Sequence, residues 1–138
     1  LQLSGAGFPG AVNTAVDAFR NRTGLEITVK NALIGVELSS NDQIHFIQIL
    51  QEALANVEKH ARATKVEVCI ERAPDGACTM QVVDNGVGIP EHAEKENHFG
   101  LSIMRERAAA LGAVLSISRR PEGGTIVFMS RPPQKSAL

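Results

Sequence analysis

Hydrophobic and polar positions along this chain follow two patterns, a helical spacing of three and four residues and a strict alternation. The helical spacing predicts α-helices over residues 8–22, from a polar start signal at 39–42 to about residue 62, and over 101–111. The alternation predicts the following strands. They cover residues 25–29, 64–72, 78–83, 114–119 and 125–130, with a short edge strand at 1–3.

Two pairs of these strands are joined by short turns rich in glycine and proline, which is typical of β-hairpins. The order of elements predicts a mixed, mainly antiparallel sheet with its helices on one face, an α/β two-layer sandwich. A chain of 138 residues is long enough for one hydrophobic core. The segment that begins at Arg131 continues with two prolines and has no periodic pattern. We therefore predict a single domain over residues 1–131 and a flexible tail over 132–138.

Charge and composition argue against several classes of partner. Lys and Arg together number 14 and Asp and Glu number 15, so a nucleic acid or an anionic lipid surface would meet no net positive field. The lack of Trp and Tyr disfavours a stacking surface for single-stranded nucleic acid. No apolar run is long enough to span a bilayer. The chain starts at Leu1 rather than at Met, so we expect a piece of a longer protein.

Cys69 and Cys78 lie in the two strands of the first predicted hairpin. With a two-residue turn they would be about 13 Å apart along the strands, which is too far for a disulfide. The alternation of apolar residues favours a turn one residue longer, which places the thiols on opposite faces of the sheet. We predict that both are reduced, as in a cytoplasmic protein.

The second predicted helix carries an apolar stripe and, opposite it, a polar face. The stripe comprises Ile47, Leu50, Leu54, Val57 and Ala61, and the polar face comprises Gln48, Glu52, Asn56, Lys59 and His60. Glu52 and Asn56 lie one turn apart and can present two oxygens to a hard cation or to its water shell. Lys59 can then meet an anion beside that cation. An ordinary solvated helix face would also be polar, so this pattern alone does not decide between the two interpretations.

Three short segments contain glycines that leave the backbone accessible. Asp84 directly follows an apolar strand and precedes Gly86 and Gly88, which let the backbone approach a flat ligand or a phosphate. Its carboxylate can accept a hydrogen bond from an exocyclic amine such as that of adenine. Gly100 opens the third helix, whose first amides can hold a phosphate. Residues 123–125, Gly-Gly-Thr, form the third segment. Each segment by itself is also typical of an ordinary turn.

The polar face of the second predicted helix and these three glycine-containing segments, taken together and in chain order, resemble the nucleotide-binding boxes of the histidine-kinase ATP-binding domain. Residues 51–61, QEALANVEKHA, resemble its asparagine box, and residues 84–88, 98–107 and 123–125 resemble its three glycine boxes. The resemblance implies the Bergerat-type fold shared with DNA gyrase, the Hsp90 chaperones and the mismatch-repair ATPases. The run GLSIMRER at 100–107 is most similar to kinases that serve LuxR/NarL-type response regulators. Residues 91–98 and the N-terminal helix are similar to nitrate/nitrite sensor kinases.

The resemblance implies ATP and Mg²⁺ as cofactors and a role for each matching residue. Asn56 would coordinate Mg²⁺, and Glu52 would lie near the water of the metal and the γ-phosphate. Lys59 and His60 would face the phosphates or the ribose, and Asp84 would select adenine. The remaining nucleotide contacts implied by the resemblance are Gly86, Gly88, Gly100, Leu101 and Thr125. Residues 89–99 would form the ATP lid.

The implied activity is that of a protein histidine kinase catalytic domain, which donates the γ-phosphoryl group of ATP to a histidine. The acceptor histidine of the family is followed by an acidic residue, whereas His45 is followed by Phe46 and no other histidine has that context. We therefore expect a separate dimerisation domain, a NarL/LuxR-type response regulator, and a homodimeric parent anchored in the bacterial inner membrane with this domain in the cytoplasm. Glu58 also departs from the family, which usually has a small or apolar side chain there.

Two alternatives stay open. A serine kinase of the anti-sigma-factor type has this fold at nearly this length, although the sequence Lys59-His60-Ala61 has the histidine-kinase form. A non-catalytic module that binds nucleotide to switch a protein contact would share the same boxes. Phosphoryl transfer, rather than nucleotide binding, distinguishes these alternatives from a histidine kinase.

Overall fold

The computed structural model describes residues 7–33, 38–90 and 100–133, and the predicted edge strand at 1–3 lies outside these ranges. The described ranges contain the following elements in chain order. They are α1 (Gly7–Thr23), β1 (Glu26–Asn31), α2 (Ser40–Asn56), a π-helical turn (Val57–Ala61), β2 (Lys65–Arg72), β3 (Cys78–Asp84), α3 (Leu101–Leu111), β4 (Val114–Arg119) and β5 (Thr125–Arg131). Apart from the end of the second helix, every predicted boundary in these ranges is within two residues of the observed one.

The five strands form one sheet in the order β1-β2-β3-β5-β4. β1 runs parallel to β2, and every other neighbouring pair is antiparallel. The two hairpins, β2–β3 and β4–β5, join where β3 pairs with β5 at the centre of the sheet. The mixed, mainly antiparallel sheet predicted from the sequence is therefore confirmed.

Alternate residues of the central strands are buried, and they pack with the buried residues of all three helices in one core. In β2 these are Val66, Val68 and Ile70, and the residues between them are exposed or half-buried. The helices therefore cover one face of the sheet, as expected of a two-layer α/β sandwich. No helix in the described ranges is long and apolar enough to cross a membrane.

The β2–β3 hairpin has the longer of the two turns considered above. Arg72 pairs with Cys78, and the Ala73 amide donates to the Ala77 carbonyl at 2.8 Å, which leaves three residues in the turn. Cys69 pairs with Gln81 on the face opposite Cys78. Both thiols are free, as predicted.

The helix predicted to run from residue 39 to about 62 is not a continuous α-helix. Ser39 caps its start by accepting a hydrogen bond from the Asp42 amide at 3.1 Å. The α-helical geometry ends at Asn56, and residues 57–61 form the π turn. The turn keeps Val57 and Ala61 buried while the three residues between them are exposed. Arg62, in the left-handed conformation at a φ of 51°, ends the segment.

Arg131 belongs to the last strand rather than to the aperiodic segment, since it is the last residue of β5 and only 2% exposed. Its guanidinium lies 3.7 Å from the Asp42 carboxylate, near the start of α2. It also lies 3.6 Å from the Cys78 sulfur, at the start of β3. The buried arginine thus ties the end of the last strand to the helix layer.

Candidate functional site

A cavity of about 220 Å³ lies between the C-terminal part of α2, the π turn and the sheet. Its lining combines predicted site residues with apolar side chains from both layers. The lining residues are Ala53, Asn56, Val57, His60, Ala61, Val82, Asp84, Val87, Gly88, Ile89, Pro90, Ile117, Thr125 and Val127. The cavity therefore brings together Asn56, His60, Asp84, Gly88 and Thr125, which lie far apart in the sequence.

Asp84 is one of two charged or polar residues in the core of the described ranges, and it is 4% exposed. It ends β3, and its carboxylate accepts hydrogen bonds from the backbone amides of Gly86, at 2.9 Å, and of Thr125. Burial raises the pKa of Asp84, although these two bonds and the nearby Arg120 oppose the rise. A buried carboxylate at the wall of an apolar cavity is a strong acceptor for a ligand N–H group.

Gly86 and Gly124 permit close backbone contacts beside the cavity. A β-carbon on Gly86 would overlap the Ala61 carbonyl, which accepts a hydrogen bond from the Val87 amide at 2.8 Å. A β-carbon on Gly124 would likewise overlap the carbonyl oxygen of Asp84. Gly86 was predicted to contact the nucleotide, but in this structure it packs against the π turn and is not among the cavity-lining residues.

Glu52 lies beside the start of α3 rather than on the cavity wall. A β-carbon on Gly100 would overlap a carboxylate oxygen of Glu52, and Gly100 has a φ of 62°, which favours glycine. The side chain of Leu101 is 2% exposed and belongs to the core. Any contact between Leu101 and a nucleotide would therefore involve its backbone amide.

The π turn carries Lys59 and His60, the two residues predicted to face the phosphates or the ribose. Both side chains are exposed, and His60 lines the cavity whereas Lys59 does not. Glu58, the residue that departs from the family pattern, is held by Arg22 of α1 through an ion pair of 2.9 Å. This ion pair thus anchors the exposed turn to α1.

The donor set suits Mg²⁺ bound jointly by protein and phosphate. In the described part of the chain no group of three or more His, Cys, Asp or Glu residues could enclose a metal ion. Mg²⁺ commonly uses one or two protein oxygens together with substrate phosphates and water. Asn56 and Glu52 offer an amide and a carboxylate oxygen one turn apart on α2, which fits that pattern.

Sequence reasoning missed the apolar walls and the role of Asn85. The sequence assigns Val57 and Ala61 to the core stripe, and nothing in it separates a core residue from a cavity wall. The Asn85 side chain accepts hydrogen bonds from the amides of Thr64 and Lys65 at 2.9 and 3.0 Å. It therefore ties the start of β2 to the loop that follows β3. Ile89 and Pro90, at the start of the predicted lid, line the cavity, while residues 91–99 lie outside the described ranges.

A two-layer sandwich with its cavity between the helices and the ends of β3 and β5 is the architecture expected of a histidine-kinase-type ATPase domain. Residues 41–136 match the family model described as "Histidine kinase-, DNA gyrase B-, and HSP90-like ATPase". The chain belongs to this family. Among the members of the family, it matches the catalytic domain of the sensor histidine kinases.

Individual relatives agree with this assignment. The chain is 42% identical to the nitrate/nitrite sensor protein NarQ of Escherichia coli K12 over 94% of its length, and 35% identical to NarX of the same organism over 99%. It spans 23% of the length of each. The solved ATP-binding domain of PrrB from Mycobacterium tuberculosis superposes with a TM-score of 0.71 at 26% identity, covering 89% of this chain and 90% of that one.

Proposed function

We propose that this chain binds Mg-ATP in the cavity and donates the γ-phosphoryl group to a histidine on a separate dimerisation domain. The observation that carries the proposal is the convergence of Asn56, His60, Asp84 and Thr125 on one cavity with apolar walls. The names of the relatives NarQ and NarX, both nitrate/nitrite sensor proteins, support a role in signalling.

In this proposal the adenine base enters the apolar part of the cavity, with its exocyclic amine directed at Asp84. Val82, Ile117 and Val127 of the sheet face Ala53 and Val57 of the helix layer across the cavity, so a flat base can be held between the layers. Guanine carries a carbonyl at the equivalent position. Its oxygen cannot donate a hydrogen bond to the Asp84 carboxylate. The site should therefore select adenine over guanine.

The phosphates would extend toward Asn56 and the start of α3. Asn56 and Glu52 would hold Mg²⁺, the second through water, and the ion would neutralise phosphate charge when bound. Lys59 and His60 would approach the phosphates or the ribose, and the Gly100 and Leu101 amides would close over the phosphate tail. Phosphoryl transfer needs positioning and charge neutralisation more than covalent help, so the acceptor imidazole serves as the nucleophile.

The remaining assignments concern the longer protein of which this chain would be one domain. We propose that residues 1–131 form its ATP-binding domain and that residues 132–138 are a tail. The parent would be a membrane-anchored homodimer in the bacterial inner membrane, with this domain in the cytoplasm. Its phosphorylated histidine would pass the group to a NarL/LuxR-type response regulator.

The test is phosphoryl transfer in trans. The purified chain is mixed with a dimerisation domain that carries an acceptor histidine, taken from a NarQ-type kinase, and with γ-labelled Mg-ATP. We expect acid-labile, base-stable label on that domain, and at least a hundredfold slower labelling by Asn56→Ala, because this variant loses a metal ligand. Asn21→Ala, which removes an exposed asparagine of α1, is the matched control and should label as the unaltered chain does.

Other results would redirect the proposal. ATP binding without any transfer would favour the nucleotide-switched module. Acid-stable label on a serine of a partner protein would favour the serine kinase. Equal labelling by Asn56→Ala and the unaltered chain would refute the metal-binding role of Asn56.

A further inference from the structure

Arg119 lies at the rim of the cavity, although no motif includes it. It ends β4 and pairs with Thr125, which lines the cavity. Its side chain is on the same face of the sheet as that of Ile117, two residues earlier, which also lines the cavity. A β-carbon on Gly88 would lie 3.4 Å from the Arg119 Nε and 3.7 Å from its Cγ. The guanidinium stem therefore passes directly over Gly88.

The neighbouring arginine provides a contrast. Arg120 points to the opposite face of the sheet, where it pairs with Glu122 at 2.8 Å and donates to the Asp84 carbonyl at 3.5 Å. The guanidinium of Arg119 makes no hydrogen bond or ion pair within the part of the chain that the structure describes. Its planar cation is thus available to a ligand at the cavity rim.

The position of Arg119 favours a contact with the base over one with the phosphates. Its strand partner Thr125 donates its amide to Asp84, the proposed adenine acceptor. The proposed phosphate-binding side chains, by contrast, lie on α2 and the π turn, across the cavity from β4. A guanidinium beside the flat face of an aromatic ring gains cation–π and stacking energy that a lysine ammonium only partly reproduces.

We propose that Arg119 is a nucleotide-positioning residue that stacks on the purine base at the rim of the cavity. This inference rests on the proposed function, because it assumes that ATP occupies the cavity. It extends that function by assigning part of the base affinity to a residue outside the four boxes.

The test compares ATP with adenosine, which has no phosphates. Affinities are measured by displacement of a labelled ATP analogue from the unaltered chain, Arg119→Ala, Arg119→Lys and Lys30→Ala. We expect Arg119→Ala to weaken ATP and adenosine by the same factor, about three- to tenfold. Arg119→Lys should recover only part of this loss. Lys30→Ala removes an exposed cation on the edge strand β1, away from the cavity, and should bind as the unaltered chain does.

The following results would overturn the inference. Unchanged adenosine affinity in Arg119→Ala would exclude a base contact, whether or not ATP affinity falls. Full recovery by lysine would show that charge, rather than stacking, carries the effect. If the unaltered chain binds no ATP, the proposed function fails and this inference fails with it, whereas normal ATP binding with an unaffected Arg119→Ala refutes the inference alone. Thermal unfolding of each variant confirms that the fold is intact.

Discussion

Gly86 and Ala61 form a backbone contact that joins the loop after β3 to the π turn. The Val87 amide donates to the Ala61 carbonyl at 2.8 Å, and Gly86 passes the same oxygen with no room for a β-carbon. The π turn follows Asn56 directly and carries His60, while the loop continues from Asp84. This contact therefore sets the spacing between two walls of the cavity.

Gly86→Ala should lower the free energy of unfolding by about 2 to 3 kcal/mol, because the methyl group forces the two segments apart. It should also weaken ATP binding, since the walls of the cavity separate. Chemical denaturation and ATP titration measure the two effects. Gly112→Ala is the control: Gly112 has a φ of 66° with nothing within 4 Å, so only backbone strain of about 1 kcal/mol is expected. Equal losses in the two variants would contradict the overlap at Gly86.

Adenosine binding should weaken as the pH falls, and it should begin to do so above the pH at which an ordinary aspartate protonates. The reason is that burial raises the pKa of Asp84, and the protonated acid loses acceptor strength toward the adenine amine. Titration with adenosine rather than ATP avoids the titration of the phosphates. Asp84→Asn has no such group, so its affinity should be independent of pH over that range. A parallel decline in both proteins would point to another titrating group.

The same carboxyl group should affect the stability of the nucleotide-free protein in the opposite sense. A raised pKa in the folded state means that Asp84 stabilises the fold below its ordinary pKa and that this contribution is lost as the pH rises through the raised value. The free energy of unfolding of Asp84→Asn, relative to that of the unaltered chain, should therefore increase with pH. Denaturant unfolding at several pH values measures the difference. If the difference in the free energy of unfolding did not vary with pH, burial would not raise the pKa of Asp84.

Asp42→Asn should lower the free energy of unfolding by about 2 kcal/mol, because it removes the carboxylate charge that lies 3.7 Å from the buried Arg131 guanidinium. Asp17→Asn is the matched control. Its partner Arg20 is exposed and the pair spans 2.8 Å at the surface of α1, so a loss of about 0.5 kcal/mol or less is expected. Denaturant unfolding of both variants checks the comparison. Losses of equal size would mean that the buried ion pair contributes no more than a surface pair.

An aromatic disulfide reagent should label one thiol in the folded protein and two in denaturant. Cys78 is 0% exposed, whereas Cys69 is half-buried on the uncovered face of the sheet. The folded-state reaction should be slower than that of a free thiol, because partial burial and then the Glu71 carboxylate raise the pKa of Cys69. Cys69→Ser should abolish the labelling of the folded protein. Rapid labelling of both thiols in the folded protein would contradict the burial of Cys78.

Periodicity predicted the helices, the strands and both hairpins, because each has one buried face that repeats along several residues. Periodicity could not predict the π turn, since five residues are too few to distinguish the period of a π-helix from that of an α-helix. The buried position of Arg131 was not predicted for a different reason: two prolines follow it, and the residues that it contacts, Asp42 and Cys78, are distant in the sequence.

The predicted site residues also fall into two groups, those that line the cavity and those that pack against other parts of the protein. Asn56, His60, Asp84, Gly88 and Thr125 line the cavity, as residues chosen for their chemistry would. Glu52, Gly86 and Leu101 are placed by packing against Gly100, Ala61 and the core, which only the three-dimensional structure reveals.

The packing of the glycines has a consequence for judging relatives of this chain. Gly86 and Gly124 each fit against the backbone of another part of the protein with no space for a side chain, even when no ligand is considered. A relative that had lost its enzymatic role would still lose stability if either glycine were replaced. Their presence in a sequence therefore indicates the architecture rather than the activity, whereas the proposed metal-binding role of Asn56 would make its loss an early mark of a pseudoenzyme.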